Sequence, residues 1–220
     1  MLGVKNMKII GVTGHAGTGK SKILDYINNN YNAICFKLDD MGRKLQQKGE
    51  DCYNEIVYEF SRPVGAGYGD GRIWKHSILL ENGELNRSKL AKIVFSNEDD
   101  LIKLEKIMYN YIIKNLEDEW LKISKSDVSY DFFVIESATL IKSGLEDFCD
   151  YIFLITTNEK IRRERLYKRG YSDERIDNMA FLSKLDSFSE TTKENVFQIN
   201  NSSNFIETEG QIKKYLEKLK

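Results

Sequence analysis

Five short apolar runs punctuate the chain: KIIGVT (8–13), AICFKL (33–38), DFFVIES (131–137), YIFLIT (151–156) and NVFQIN (195–200). They are nearly continuous rather than alternating, the pattern of strands buried on both faces of a parallel sheet. Helical periodicity fills the intervals. KSKILDYINN follows the first run, and RSKLAKIVF leads into DDLIKLEKIMYNYIIKNLEDEWLKI as one long helical stretch. NEKIRRERLYKRG closes on Gly170, a residue suited to ending a helix. In the last segment Ile212, Tyr215, Leu216 and Leu219 share one helical face. Strands alternating with helices predict an α/β fold, a five-stranded parallel sheet flanked by helices.

One interval breaks this rhythm. Residues 39–130 are mostly helical, yet a crossover between parallel strands needs only about a dozen residues. Much of it, about 45–125, is expected to be a helical insertion in a single domain. Pro63, the only proline, sits in SRPVGAGYGDG, which reads as a flexible loop. The opening MLGVKNM reads as a short tail, because the apolar run after it is too short for a leader.

The first run ends in GVTGHAGTGKSK (11–22), with glycines at 14, 17 and 19. Glycine loses more entropy on ordering than any other residue, so a cluster needs a reason. Gly14-His15-Ala16-Gly17-Thr18-Gly19-Lys20-Ser21 satisfies G-x-x-x-x-G-K-[ST] between a predicted strand and helix. In such a loop the backbone N–H groups of Gly14, Ala16, Gly17, Thr18 and Gly19 would face phosphate oxygens, aided by the helix N-terminus. Lys20, expected to be exposed, would reach the β- and γ-phosphates of ATP. The Ser21 hydroxyl would ligate Mg²⁺.

Transfer to a hydroxyl acceptor needs a carboxylate that orients and deprotonates it. FKLDDMGRKL follows the second run, and Asp39 suits that task while Asp40 reads as a helix N-cap. In FFVIES, Glu136 closes the apolar strand, in the position of a carboxylate that touches Mg²⁺ through water. Arg162, Arg165 and Arg169 share a helical face by spacing. Arginines on a lid over a triphosphate would stabilise charge developing in transfer. His15 and His76 receive no role. An N-K-x-D guanine signature is absent, which argues against a switch GTPase.

Composition narrows the partners. The 220 residues carry 33 basic and 34 acidic side chains, a net charge of −1. That balance predicts neither a nucleic-acid nor a membrane partner, so any anion site must be local. Cys35, Cys52 and Cys149 form no zinc or disulfide framework, which suits a reducing, cytoplasmic setting. No run approaches the roughly 20 apolar residues of a membrane span.

Taken together, these motifs resemble the dephospho-CoA kinases over nearly the whole chain. KIIGVTGHAGTGKSKI is similar to that family's opening strand and loop. LDDMGRKL is similar to its D-x-D-x-x-A-R segment, with Asp39 on the second aspartate, Arg43 on the arginine and Lys37 in place of the first aspartate. NGELNRSKLAKIVF resembles G-x-[IL]-x-R-x-x-L-x-x-x-[VI]-F and puts Arg87 on its arginine. RERLYKRGYSDERIDN resembles the R-[LT]-x-x-R lid segment, and INNSS falls where the family has Asn-x-Gly. The family's His-Pro falls at Tyr109-Asn110, its Pro-Leu-Leu at Ala138-Thr139-Leu140, and its post-lid glutamine near Lys184.

The resemblance implies a P-loop kinase fold with a helical acceptor domain and a lid at about 165–190. It implies phosphorylation of the ribose 3′-hydroxyl of dephospho-CoA by ATP. Asp39 would be the base, Arg43 and Arg87 acceptor contacts, Arg165 and Arg169 lid contacts, and Asn200 a nucleotide contact. Residues alone also admit a kinase of another nucleotide-like acceptor, such as a nucleoside monophosphate, or a non-catalytic ATP-binding protein.

Overall fold

The computed structural model describes residues 7–61, 78–177 and 194–220. The leading tail up to residue 6, the Pro63 loop, His76, Lys184 and the lid beyond residue 177 lie outside the described residues. The strands are β1 (Lys8–Thr13), β2 (Ala33–Lys37), β3 (Phe132–Glu136), β4 (Tyr151–Thr156) and β5 (Val196–Asn200). The helices are α1 (Lys20–Asn30), α2 (Leu38–Leu45), α3 (Asp51–Phe60), α4 (Arg87–Ser96), α5 (Glu98–Lys125), α6 (Glu159–Tyr167) and α7 (Phe205–Leu219). Among the described residues no helix is long and apolar enough to cross a membrane.

The sheet has the order β2-β3-β1-β4-β5, and every neighbouring pair is parallel. All five strands therefore present their carboxyl ends at one edge, where open α/β sheets bind ligands. Glu136 is the register partner of both Val12 and Lys37. The ends of β1, β2 and β3 thus lie level beside the glycine loop.

The continuous apolar runs are explained by burial on both faces. Ile10, Val12, Phe132, Val134, Phe153, Ile155 and Ile199 pack with Ile23, Leu24 and Ile27 of α1 and with Ile212 and Leu216 of α7. Full burial of each such side chain contributes about 1.5–3 kcal/mol. Gly11, in β1, lets another element approach the sheet. A Cβ there would lie 2.5 Å from Leu140 Cδ2 and 2.9 Å from Cys149 Sγ. Gly11→Ala is therefore expected to cost about 1–3 kcal/mol by overpacking. A thermal melt within a degree of wild type would refute this. The three cysteines are free, and burial pushes the Cys35 and Cys149 thiols up to about 12.

Two compact units divide the chain: Met1–Leu38 with Ser124–Lys220, and Asp39–Ile123. The second is helical and has its own core. Cys52, Tyr53, Ile56 and Phe60 of α3, Leu90 and Val94 of α4, and Ile107, Ile112 and Leu116 of α5 are buried. The long helical stretch expected from the sequence is in fact two helices. Asn97 separates α4 from α5 in an extended conformation, and its side chain accepts from the Asp99 N–H at 3.0 Å. An asparagine amide offers the backbone a local alternative to the helical bond.

Candidate functional site

The loop between β1 and α1 is built around glycine. Gly19 has φ of 97°, the left-handed region that a side chain disfavours. It directly precedes α1, so the loop opens into a helix N-terminus. The Thr18 Oγ1 and the Thr18 N–H both donate to the His15 carbonyl and close the turn.

The loop carbonyls are held by the surrounding protein. Gly14 O and His15 O accept from Lys20 Nζ at 2.9 and 3.3 Å. Ala16 O accepts from Arg162, and Gly17 O and Thr18 O accept from Arg165. Thr18 O also accepts from Asn201 Nδ2 at 2.7 Å. A trans peptide turns its N–H opposite its C=O. Fixing the Thr18 carbonyl on the Asn201 side therefore aims the Gly19 N–H the other way. Oriented amides, a helix N-terminus and nearby cations are groups that attract an anion.

Lys20 differs from expectation. It is buried, 8% exposed, rather than extended into solvent. An ammonium needs acceptors, and the loop carbonyls supply them. Glu136, also buried, places a carboxylate oxygen 4.0 Å from Lys20 Nζ. Ser21 is exposed on the first turn of α1. The hydroxyl of Ser21 and the carboxylate of Glu136 are hard oxygen donors, the chemistry Mg²⁺ prefers. No cluster of three metal-ligating side chains occurs among the described residues.

The arginines separate in role. Arg162 is buried and makes two hydrogen bonds to Glu159, at 2.6 and 2.8 Å. Those bonds hold the Glu159 carboxyl below its usual range. Arg165 lies against the loop and the Asn201 carbonyl. Burial, then the charge of Arg169, lowers its affinity for its proton. Arg169 is exposed and lies past the end of α6, so the expected three-arginine helical face stops at Arg165.

The two neighbouring asparagines differ in setting. Asn200 is exposed, and its side chain accepts from the Ser202 N–H. Asn201 is the one buried beside the loop, at 3% exposure. Strand alternation carried this signal. Ile199 faces the core, so residue 201 follows it and residue 200 faces away.

In the helical unit, Asp39 and Asp40 both lie in the first turn of α2, which begins at Leu38. Asp40 is therefore not the N-cap expected of it. β2 runs directly into the helix, and Asp40 sits 3.9 Å from Arg43 instead. Lys37, where the resembling family has an aspartate, donates to Asp25 at 2.8 Å and ties β2 to α1. Arg87 opens α4 next to its N-cap, Asn86, whose side chain accepts from the Lys89 N–H. Arg87 also donates to the Arg43 carbonyl at 3.5 Å. Both arginines, with Gln46, Lys48 and Asn86, line an open groove of about 750 Å³.

A family model described as dephospho-CoA kinase matches residues 8–207. The chain is similar to a dephospho-CoA kinase of Aquifex aeolicus, 30% identical over 97% of this chain and 98% of that one. It is also similar to a dephospho-CoA kinase of Listeria innocua, 28% identical over 96% of each. Among solved structures, a Thermus thermophilus protein shares the fold with a TM-score of 0.71, at 21% identity and covering 97% of this chain and 98% of that one. A dephospho-CoA kinase from Campylobacter jejuni does so with a TM-score of 0.62, at 19% identity and covering 96% of each.

Proposed function

The chain belongs to the dephospho-CoA kinase family, and from that membership we propose that it phosphorylates the ribose 3′-hydroxyl of dephospho-CoA with ATP. The observation that carries the reading is the extent of the match. Residues 8–207 include the glycine loop, the Asp39 turn and the Arg87 segment together. The other readings, a nucleoside-monophosphate kinase or a non-catalytic ATP binder, have no observation in their favour.

Each residue then has a task. The amides of Gly14 to Gly19 and the N-terminus of α1 receive the triphosphate. Lys20 exchanges the Gly14 carbonyl for β- and γ-phosphate oxygens. Ser21 and Glu136 would hold Mg²⁺, which when bound neutralises phosphate charge. Asp39 accepts the proton of the 3′-hydroxyl as its oxygen bonds to the γ-phosphorus and ADP leaves. Arg165 keeps the loop in shape, and Arg169 lies in the stretch leading to the lid. Arg43 and Arg87 take an anionic group of the acceptor. The helical unit around 45–125 is read as the acceptor-binding part. The few, widely spaced cysteines favour a cytoplasmic enzyme.

The test is ATP consumption measured with dephospho-CoA and with a panel of nucleoside monophosphates. Saturable turnover of dephospho-CoA is expected. Turnover of a monophosphate without it would overturn the reading.

Arg87 offers a sharper prediction. A guanidinium at a helix N-terminus suits a phosphate group. Arg87→Ala should raise the KM for dephospho-CoA about tenfold or more, the worth of one charge-assisted contact, and leave the KM for ATP within about twofold. Arg87→Lys should restore only part, because an ammonium lacks the planar fork. Equal shifts in both KM values would assign Arg87 a purely structural part.

A further inference from the structure

Behind the glycine loop lies a buried polar chain that runs from α7 through the end of β5. Thr208, fully buried in α7, donates its hydroxyl to Asn201 Oδ1 at 3.0 Å. Asn201 Nδ2 donates to Thr18 O at 2.7 Å. The backbone of Asn201 is fixed independently. Its N–H donates to Thr156 O at 2.8 Å, and its carbonyl accepts from Thr157 Oγ1 and Arg165. The loop contact is equally close on the carbon side. A Cβ on Gly19 would lie 2.3 Å from Asn201 Nδ2.

We propose that Thr208 and Asn201 are positioning residues for the phosphate seat: the Thr208 hydroxyl braces the Asn201 amide, and that amide holds the Thr18–Gly19 peptide. The inference rests on reading the loop as the seat of the ATP phosphates. A primary amide has one accepting end and one donating end. Reversed, Asn201 would set its oxygen against the Thr18 carbonyl, two acceptors in contact. The Thr18 carbonyl, which can only accept, therefore fixes which end of the amide faces it, and the Thr208 hydroxyl braces the amide there by donating to Oδ1. With Nδ2 on the Thr18 carbonyl, the Gly19 N–H points away from Asn201. An amide aimed in advance needs no reorganisation when charge arrives. The sheet supplies the rigidity, since Asn201 continues the β4–β5 ladder.

The experiment compares Asn201→Ala, Thr208→Val and Thr208→Ser with wild type. MgATP affinity is measured by titration calorimetry without acceptor, followed by both KM values and the melting temperature. Valine keeps the shape of threonine and deletes the hydroxyl, whereas serine keeps the hydroxyl. MgATP is expected to bind about three- to tenfold more weakly to Thr208→Val and at least about tenfold more weakly to Asn201→Ala. Thr208→Ser should stay within about twofold of wild type for MgATP, and the KM for dephospho-CoA should stay within about twofold throughout. Folded Thr208→Val that binds MgATP as wild type does would overturn the proposal. So would parallel shifts in both KM values that track the melting temperature, the mark of a merely structural role. Wild-type protein that binds MgATP but leaves dephospho-CoA unphosphorylated would instead overturn the proposed function and leave this inference standing.

Discussion

Lys20→Ala is expected to reduce phosphoryl transfer by about a hundred- to a thousandfold, the range for losing one preorganised donor to transition-state charge. It is also expected to destabilise the fold, which a solvent-exposed lysine would not do. Lys20 Nζ donates to Gly14 O at 2.9 Å and lies 4.0 Å from Glu136, with both side chains buried. Truncation strips the loop carbonyl of a charged donor and removes a cation from beside a buried carboxylate. Losses of this kind cost about 1–3 kcal/mol. In a chain of this size that is a melting shift on the order of 2–12 °C. Lys20→Met separates the two effects, because it keeps most of the buried stem. Its melting temperature should fall less than that of Lys20→Ala, while turnover falls as far. Wild-type turnover by either purified variant would show that the loop does not act on phosphate.

That double effect also shows where sequence reading stops. The loop was legible because its glycines, lysine and serine stand at fixed spacing between a strand and a helix. The five strands were legible because burial on both faces leaves continuous apolar runs. Neither argument says where a long, flexible side chain rests. Lys20 folds back on its own loop because an ammonium needs oxygen partners, and the nearest are carbonyls five and six residues away in sequence. Asn201 was missed for a different reason. Thr208 lies seven residues on, in α7, but Thr18 comes from β1's loop, and only the assembled sheet brings it alongside. The alternation from Ile199 was the one local clue. Asp40 was misread because Asp favours N-caps, a rule that fails when a strand passes into a helix without a linking turn. The break at Asn97 was hidden by apolar periodicity that continues on both sides of it.

Asp39→Asn is expected to lower kcat by a factor of about 10²–10⁴, the usual worth of a positioned general base. The change replaces one oxygen by an amide nitrogen and keeps the shape, so packing is not disturbed. Asp39 stands two residues beyond the end of β2, whose last residue, Lys37, is in register with Glu136. Asp39 is exposed and lies in the first turn of α2. A carboxylate there also complements the helix N-terminus, which is worth about 0.3–1 kcal/mol of stability. The two roles predict different results. If Asp39 only complements the helix, Asp39→Asn lowers the melting temperature slightly and leaves kcat unchanged. If it takes the proton of the acceptor, kcat collapses while the KM for ATP stays within about twofold, because the nucleotide is held by the loop. Asp40→Asn is the internal control. It shares the same helical turn, and its weak pairing with exposed Arg43 at 3.9 Å contributes little. A sensitive Asp40 beside a tolerant Asp39 would move the base by one residue and refute the assignment.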